Sequence, residues 1–139
     1  MVIQTKYHGE LTIKADDNII FEKGIPGFLD EKTFVLLPLD EETSFFILQS
    51  VQTPGIAFVV TSPFFFFKDY EFDLDESTKE RLNIQIEQDV EVLVILTVKE
   101  PFNSSTANLK APIILNRKTK LGKQLILNQT DYTTKHCLA

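Results

Sequence analysis

The sequence contains few of the residue types that build covalent, metal or phosphate sites. It has one cysteine, Cys137, five glycines, and two histidines, His8 and His136, which stand near opposite ends of the chain. A single cysteine excludes a disulfide framework and a thiolate metal site, and it fits a reducing cytosol. The longest apolar runs, at residues 64–67 and 92–98, are too short to span a bilayer. The first twenty residues lack the apolar run of a signal peptide, so we expect a cytoplasmic protein without a membrane partner.

Motifs of catalysis are also missing. The chain has no H-E-x-x-H, C-x-x-C or G-x-S-x-G pattern. Gly122-Lys123-Gln124 is like the end of a phosphate loop, but the upstream glycine and the following Ser or Thr are absent. We therefore predict that the protein is not an enzyme and uses no cofactor or metal. The 20 acidic residues leave one alternative open, an enzyme that acts on a basic or sugar substrate through paired carboxylates.

The charge is negative overall and unevenly distributed. The net charge of −6 argues against direct nucleic-acid binding, because phosphate contacts need a surplus of Lys and Arg. Residues 1–104 carry 19 acids and 8 bases, whereas residues 105–139 carry one acid and 6 bases. This polarity predicts an acidic face and a basic edge for different partners, unless folding intermixes the two groups.

Strand patterns dominate the chain, whose 139 residues are the usual size of one domain. We predict a single domain over residues 1–139. Short apolar or alternating runs between turn signals predict strands at residues 2–6, 10–14, 19–22, 34–37, 45–49, 57–61, 90–99, 113–115 and 124–127. Hairpins are expected around residues 7–9 and around the basic turn 116–120, an acidic tip at residues 40–42 and a polar loop at residues 103–106. One short helix is expected around residues 75–83, where Glu80 follows Ser77 at capping-box spacing.

Acidic and apolar residues alternate strictly from Asp69 to Asp75. In an extended strand, residues two apart point to the same face, so Asp69, Glu71, Asp73 and Asp75 would form a row of carboxylates spaced about 6.6–6.8 Å apart. Tyr70, Phe72 and Leu74 would then point inward. Folding does not require four like charges in a row. Two interpretations stay open, an edge strand that charge protects from aggregation and a docking surface for a basic partner.

Two further segments are distinctive. The four phenylalanines at residues 64–67 cannot all lie on one face of a strand, and we expect them to be buried on both sides. The alternative is an exposed pair of rings, which would give an aromatic binding patch beside the acidic residues. The glycine-bracketed run from Gly24 to Phe28 predicts a rigid turn at a corner of the fold.

Several distinctive phrases stand in order along nearly the whole chain. They are FEKGIPGF at residues 21–28, FFILQS at 45–50, FVVTSPF at 58–64, DYE at 69–71, VILTV at 94–98, TANLKAPI at 106–113, GKQ at 122–124 and DY at 131–132. Together these phrases resemble the bacterial flagellar assembly factor FliW family. The departures are small: Ile47 stands where many members have tryptophan, and Lys110 where an apolar residue is common.

The resemblance implies a mainly β protein, a small antiparallel β-barrel-like domain that is monomeric when free. It also implies two alternating partners, flagellin and the translational regulator CsrA, an RNA-binding dimer that represses flagellin mRNA. Binding of CsrA would relieve that repression, and accumulated flagellin would release CsrA. The alternative is a flagellin-specific chaperone without regulatory output.

The implied partners lead to two hypotheses about surfaces. CsrA presents basic side chains to RNA, so the alternating segment is the expected CsrA-binding site. Flagellin, which would dock terminal helices by hydrophobic stripes, is expected on a more apolar surface. The residues of the first site are Asp69, Tyr70, Glu71, Phe72, Asp73 and Asp75, and those of the second are Phe64, Phe65, Asn108, Lys110 and Ile113.

Overall fold

The structure is a computed structural model that describes residues 1–39, 44–101, 104–128 and 130–138. The predicted acidic tip at residues 40–42 and residue 103 of the predicted polar loop lie outside these ranges. The helix α1 is Glu76–Arg81. The strands are β1 Val2–Gln4, β2 Glu10–Thr12, β3 Ile19–Ile20, β4 Thr33–Pro38, β5 Phe45–Ser50, β6 Ala57–Thr61, β7 Val90–Thr97, β8 Thr106–Ala107, β9 Ile113–Asn116, β10 Leu121–Gln124 and β11 His136–Cys137.

Seven of these strands close into a barrel. The hydrogen-bonded order runs β7-β6-β5-β4-β3-β10-β9, and β9 pairs back onto β7. All of these pairs are antiparallel except β3 with β10, which is parallel and joins Ile20 to Leu121. β8 and β11 extend the sheet from β7, and β1 and β2 form a separate hairpin. The predicted mainly β, barrel-like fold with one short helix is confirmed.

Most residues of the barrel strands β5, β6, β7 and β9 are buried or half-buried on both faces, which explains their dense apolar runs. In β7, Leu93 and Ile95 belong to the barrel interior, whereas Val94 and Leu96 face an outer apolar layer. The interior is built from Ile19, Phe21, Ile25, Phe34, Leu48, Val60, Leu93, Ile113 and Leu115. Within the described residues, no helix is long and apolar enough to cross a membrane.

The strand predicted at residues 124–127 is wrong, because the second strand of the basic hairpin, β10, begins at Leu121. Its register pairs Leu121 with Asn116 and Gly122 with Leu115. Gly122 weakens the strand pattern, yet the barrel requires it: a Cβ at this position would lie 2.7 Å from Cζ of Phe21. The need for glycine therefore comes from barrel packing and not from local propensity.

The predicted turn from Gly24 to Phe28 is confirmed. Phe28 N–H donates to the carbonyl of Ile25 at 2.6 Å, and Ile25 is buried in the barrel interior. The turn lies in the chain between β3 and β4.

Candidate functional site

Residues 69–75, here called the acidic segment, lie on the outside of the barrel and form neither a strand nor a helix. The strand assumed from the alternation is therefore wrong. The alternation of burial is nevertheless as predicted, since the four acids are exposed and the three apolar residues between them are buried or half-buried. Because the segment is not a strand, it cannot be a charged sheet edge. Protection of an edge strand no longer accounts for its four acids.

Tyr70 anchors the acidic segment to the outer layer. Its side chain is 3% exposed and packs with Val94, Leu96 and Leu109. Its hydroxyl donates to the carbonyl of Leu109 at 2.7 Å, and its ring lies 4.7 Å from that of Tyr132. Burial, with Tyr132 as a second cause, raises the pKa of the Tyr70 phenol well above its usual value. The phenol therefore stays protonated and serves as a donor within the fold.

Two more contacts complete the base of the acidic segment. Phe72 lies 5.6 Å from Tyr70 between ring centroids and, with Leu74, packs against the apolar layer of Ile114 and Leu125. The backbone N–H of Glu71 donates to the hydroxyl of Tyr132 at 3.2 Å. Side chains, and not a neighbouring strand, thus hold this backbone. The structure assigns Tyr70 and Phe72 to support of the segment rather than to its exposed face.

The carboxylates of Asp69, Glu71 and Asp73 project from this base into solvent. The ion pairs among the described residues link Lys79 to Glu76, Arg117 to Glu91 and Lys118 to Asp89, so none of them involves these three acids. Three exposed charges of one sign on an anchored segment form a negative surface that a basic partner can neutralise.

Asp75 differs from the other three acids because it caps α1. Its Oδ1 accepts the backbone N–H of Thr78 at 2.8 Å. Thr78, through its side chain first and its backbone N–H second, lowers the pKa of the Asp75 carboxyl, and Lys123 adds a smaller attraction. Asp75 is therefore committed to the helix N-terminus, where a carboxylate is favoured.

The anchoring role of Tyr70 can be measured through stability. Replacing Tyr70 by Phe keeps the ring but leaves the Leu109 carbonyl without its donor, so we expect a loss of about 1–3 kcal/mol in the free energy of unfolding. Urea unfolding followed by circular dichroism measures this loss. The matched control is Tyr7→Phe, at an exposed tyrosine, which should change stability by less than about 0.5 kcal/mol. Equal stabilities of the two variants would contradict the anchoring role.

The expectation that the four phenylalanines are buried is wrong for the first two. Phe64 is 47% exposed and Phe65 is 65% exposed, while Phe66 and Phe67 are half-buried. Residues Pro63–Phe65 form a 3₁₀ turn with proline at its start, so successive side chains rotate around the turn and do not alternate between two faces. The exposed pair, here called the Phe patch, is the alternative arrangement.

The other residues expected to bind flagellin are only partly accessible. Ile113 is buried in the barrel interior, and the Asn108 side chain accepts the backbone N–H of Ala111 at 3.0 Å. Lys110 is exposed, and its backbone N–H donates to the carbonyl of Thr133. The Phe patch and Lys110 therefore supply the exposed groups of this set, while Asn108 holds the loop and Ile113 fills the core.

Tyr70 also connects the two sets of predicted residues. Its ring centroid lies 6.1 Å from that of Phe64, and its hydroxyl bonds the residue that precedes Lys110. The same tyrosine stands between Asp69 and Glu71 in the chain. The Phe patch and the acidic segment are thus neighbours that share one buried ring.

The acidic segment has an apolar side that the sequence pattern did not predict. An open groove of about 390 Å³ lies between Glu71, Asp73 and residues 125–128, and Ile126 at its wall is 49% exposed. The strand predicted at residues 124–127 is wrong, so the strand pattern did not predict the exposure of Ile126. The signal in the sequence is three consecutive apolar residues at 125–127. A run with one buried face would need only the first and third of them to be apolar. Among the described residues, no group of three or more His, Cys, Asp or Glu is placed to hold a metal ion.

Comparisons with known proteins give consistent matches. The family model of the FliW protein matches residues 2–138. The flagellar assembly factor FliW of Bacillus subtilis (strain 168) is 61% identical over 136 residues, which cover 98% of this chain and 95% of that protein. The flagellar assembly factor FliW of Geobacillus kaustophilus (strain HTA426) is 57% identical over 138 residues, covering 99% and 95%. A crystal structure of the flagellar assembly factor FliW superimposes with a TM-score of 0.95 at 56% identity, covering 99% of this chain and 96% of that one.

Proposed function

Since this chain belongs to the FliW family and has a role in flagellar assembly, we propose that it acts by binding two protein partners in turn. One partner is flagellin. The other is CsrA, which the chain holds away from flagellin mRNA while flagellin is scarce. The protein works in the cytoplasm, as a monomer when free, and binds no nucleic acid itself.

The observation that carries the proposal is the anchored row of exposed carboxylates at Asp69, Glu71 and Asp73, which form no ion pair within the part of the chain that the structure describes. CsrA must present cations to RNA phosphate, and those cations are attracted to such a row. A bound acidic segment places negative charge beside the RNA site. The added field repels RNA even where the site itself stays uncovered.

The Phe patch supports the second partner. Phe64 and Phe65 are exposed aromatic side chains next to the acidic segment, and aromatic rings are strong anchors for an amphipathic helix. Because Tyr70 touches both surfaces, a flagellin helix on the Phe patch crowds the position that CsrA occupies. Alternation between the partners then needs no change of fold.

The alternative function is a flagellin-specific chaperone without regulatory output. It uses the Phe patch and leaves the acidic segment without a partner. A pull-down from cytosol that lacks flagellin separates the two functions, because only the partner-switching protein retains CsrA. Retention that needs flagellin, or no retention of CsrA at all, would favour the chaperone.

A titration of the purified protein tests the exchange itself. We expect a complex with CsrA alone, a complex with flagellin alone, and release of CsrA when flagellin is added to the first complex. Size-exclusion chromatography with light scattering measures the masses. A stable ternary complex of all three proteins would contradict alternate binding, and it would leave the role in flagellar assembly untouched.

A further inference from the structure

An apolar pocket lies beside the turn at residues 24–28, apart from both surfaces described above. It is formed where β3, the turn after it, the end of α1 and β10 meet, and its volume is about 190 Å³. Its apolar wall consists of Ile20, Pro26, Leu29, Leu82, Leu121 and Gly122. None of these residues belongs to the acidic segment or to the Phe patch.

Two of the apolar wall residues are exposed to solvent. Leu29 is 63% exposed, and Ile20, in the two-residue strand β3, is also exposed. Gly122 gives the pocket depth because it adds no side chain in front of the Phe21 ring. A large side chain seated here would cover apolar surface that now faces water, which is favourable by about 25 cal/mol per Å².

The rim of the pocket is cationic in a chain of net charge −6. Lys23, Arg81 and Lys123 line it, against one acid, Glu22. None of the three cations takes part in the ion pairs found among the described residues. Lys123 is the most restrained of them, since its Nζ donates to Oγ1 of Thr78 at 3.3 Å and attracts Asp75. The rim therefore favours carboxylates around whatever enters the pocket.

The volume of the pocket indicates whether a small molecule or a protein side chain would fill it. Sites for small molecules usually measure about 300–1,000 Å³, whereas a dry cavity of about 150 Å³ already accommodates benzene. A volume of about 190 Å³ matches one ring or one large aliphatic side chain. We propose that this pocket docks a segment of a partner protein that presents one large apolar side chain flanked by carboxylates.

The acid-flanked residues 69–75 of a second copy would not supply such a segment, because their apolar side chains, Tyr70, Phe72 and Leu74, are buried or half-buried against their own fold. The proposed occupant is a different protein. The inference does not depend on the identity of the partners proposed above, because neither the acidic segment nor the Phe patch lines the pocket.

A model peptide tests the inference on the full chain. The probe is an acetylated, amidated pentapeptide with phenylalanine at its centre and glutamate at the other four positions, titrated by ¹⁵N–¹H NMR. We expect saturable shifts of the amides of Leu121, Gly122 and Lys123. Serine in place of phenylalanine should weaken binding at least about tenfold, because the buried ring supplies the apolar contact. Lysine in place of the glutamates should abolish binding.

Matched variants locate the site. Lys23→Glu should weaken peptide binding about threefold, as expected for one exposed charge contact that is reversed. The control Lys135→Glu, an exposed lysine elsewhere, should leave it unchanged. Leu29→Ser should weaken binding while Phe65→Ser, in the Phe patch, should not.

Three results would overturn the proposal. Absence of shifts at millimolar peptide would show that the pocket does not take such a segment. Equal binding of hydrocinnamate, which carries one ring and one carboxylate, would indicate a small-molecule site. Self-association that sedimentation detects and that Leu29→Ser removes would identify the occupant as a second copy.

Discussion

Reversing two charges of the acidic segment, by Glu71→Lys and Asp73→Lys together, is expected to weaken CsrA binding at least 100-fold. Both side chains are exposed and unpaired among the described residues, so the change replaces attraction to a basic surface by repulsion. Like charges placed together across an interface cost several kcal/mol, and about 2.8 kcal/mol already corresponds to 100-fold. Isothermal titration calorimetry with purified CsrA measures the change.

The control for this prediction is a second double reversal, Glu10→Lys with Asp16→Lys. These acids are also exposed, and they lie in the N-terminal hairpin and just after it. The two double variants have the same net charge, so a general charge effect would weaken both equally. Unchanged CsrA binding by the Glu71 and Asp73 variant would contradict the proposed site, and so would equal weakening of the control.

Neutral substitutions separate the contribution of charge to CsrA binding from the contribution of side-chain shape. Glu71→Gln with Asp73→Asn removes the charges and nearly keeps the shapes. If attraction dominates, this pair should lose affinity and also lose most of the dependence on salt, because exposed charges are screened over about 8 Å at physiological ionic strength. Flagellin binding, which we assign to the Phe patch, should be unaffected.

Strands could be predicted where burial on both faces produces dense β-branched runs. Residues 57–61 coincide with β6, and the run from residue 90 was expected to end at Lys99 but ends at Thr97. Barrel closure could not be predicted from such runs. It depends on pairs between strands that are distant in sequence, namely the parallel pair of Ile20 with Leu121 and the antiparallel pairing of β9 with β7. The placement of Gly122 against Phe21 is likewise visible only in three dimensions.

The candidate surfaces were predictable in part, for the same physical reason. Alternation of acids with Tyr70 and Phe72 gave the correct exposure, because every second side chain of the segment packs on the apolar layer beneath it. It did not distinguish a strand from an irregular segment held by side chains. The Phe patch was predicted only as the alternative to burial, because the strand pattern does not reveal the 3₁₀ turn that breaks this period. The cationic rim was missed because Lys23, Arg81 and Lys123 are distant in sequence.

Replacing Gly24 by alanine, in the turn that lines the pocket, is expected to lower the stability of the protein strongly. Gly24 has a φ of +68°, and a Cβ there would lie 2.7 Å from the carbonyl carbon of Leu29. Left-handed backbone costs an L-residue about 1–2 kcal/mol, and overpacking against rigid backbone adds about 1–3 kcal/mol. We therefore expect Gly24→Ala to lower the free energy of unfolding by about 2–5 kcal/mol.

Two other glycines separate the causes of that loss. Gly27 has a φ of +90° but open space around its Cβ position, so Gly27→Ala should cost only the conformational part, about 1–2 kcal/mol. Gly55 has neither feature, and Gly55→Ala should be neutral or stabilise by up to about 1 kcal/mol. Urea unfolding of the three variants should give the order Gly24, Gly27, Gly55 from largest loss to smallest. Equal losses at Gly24 and Gly27 would mean that the turn yields to the added methyl group, and that close packing against Leu29 does not fix the pocket wall.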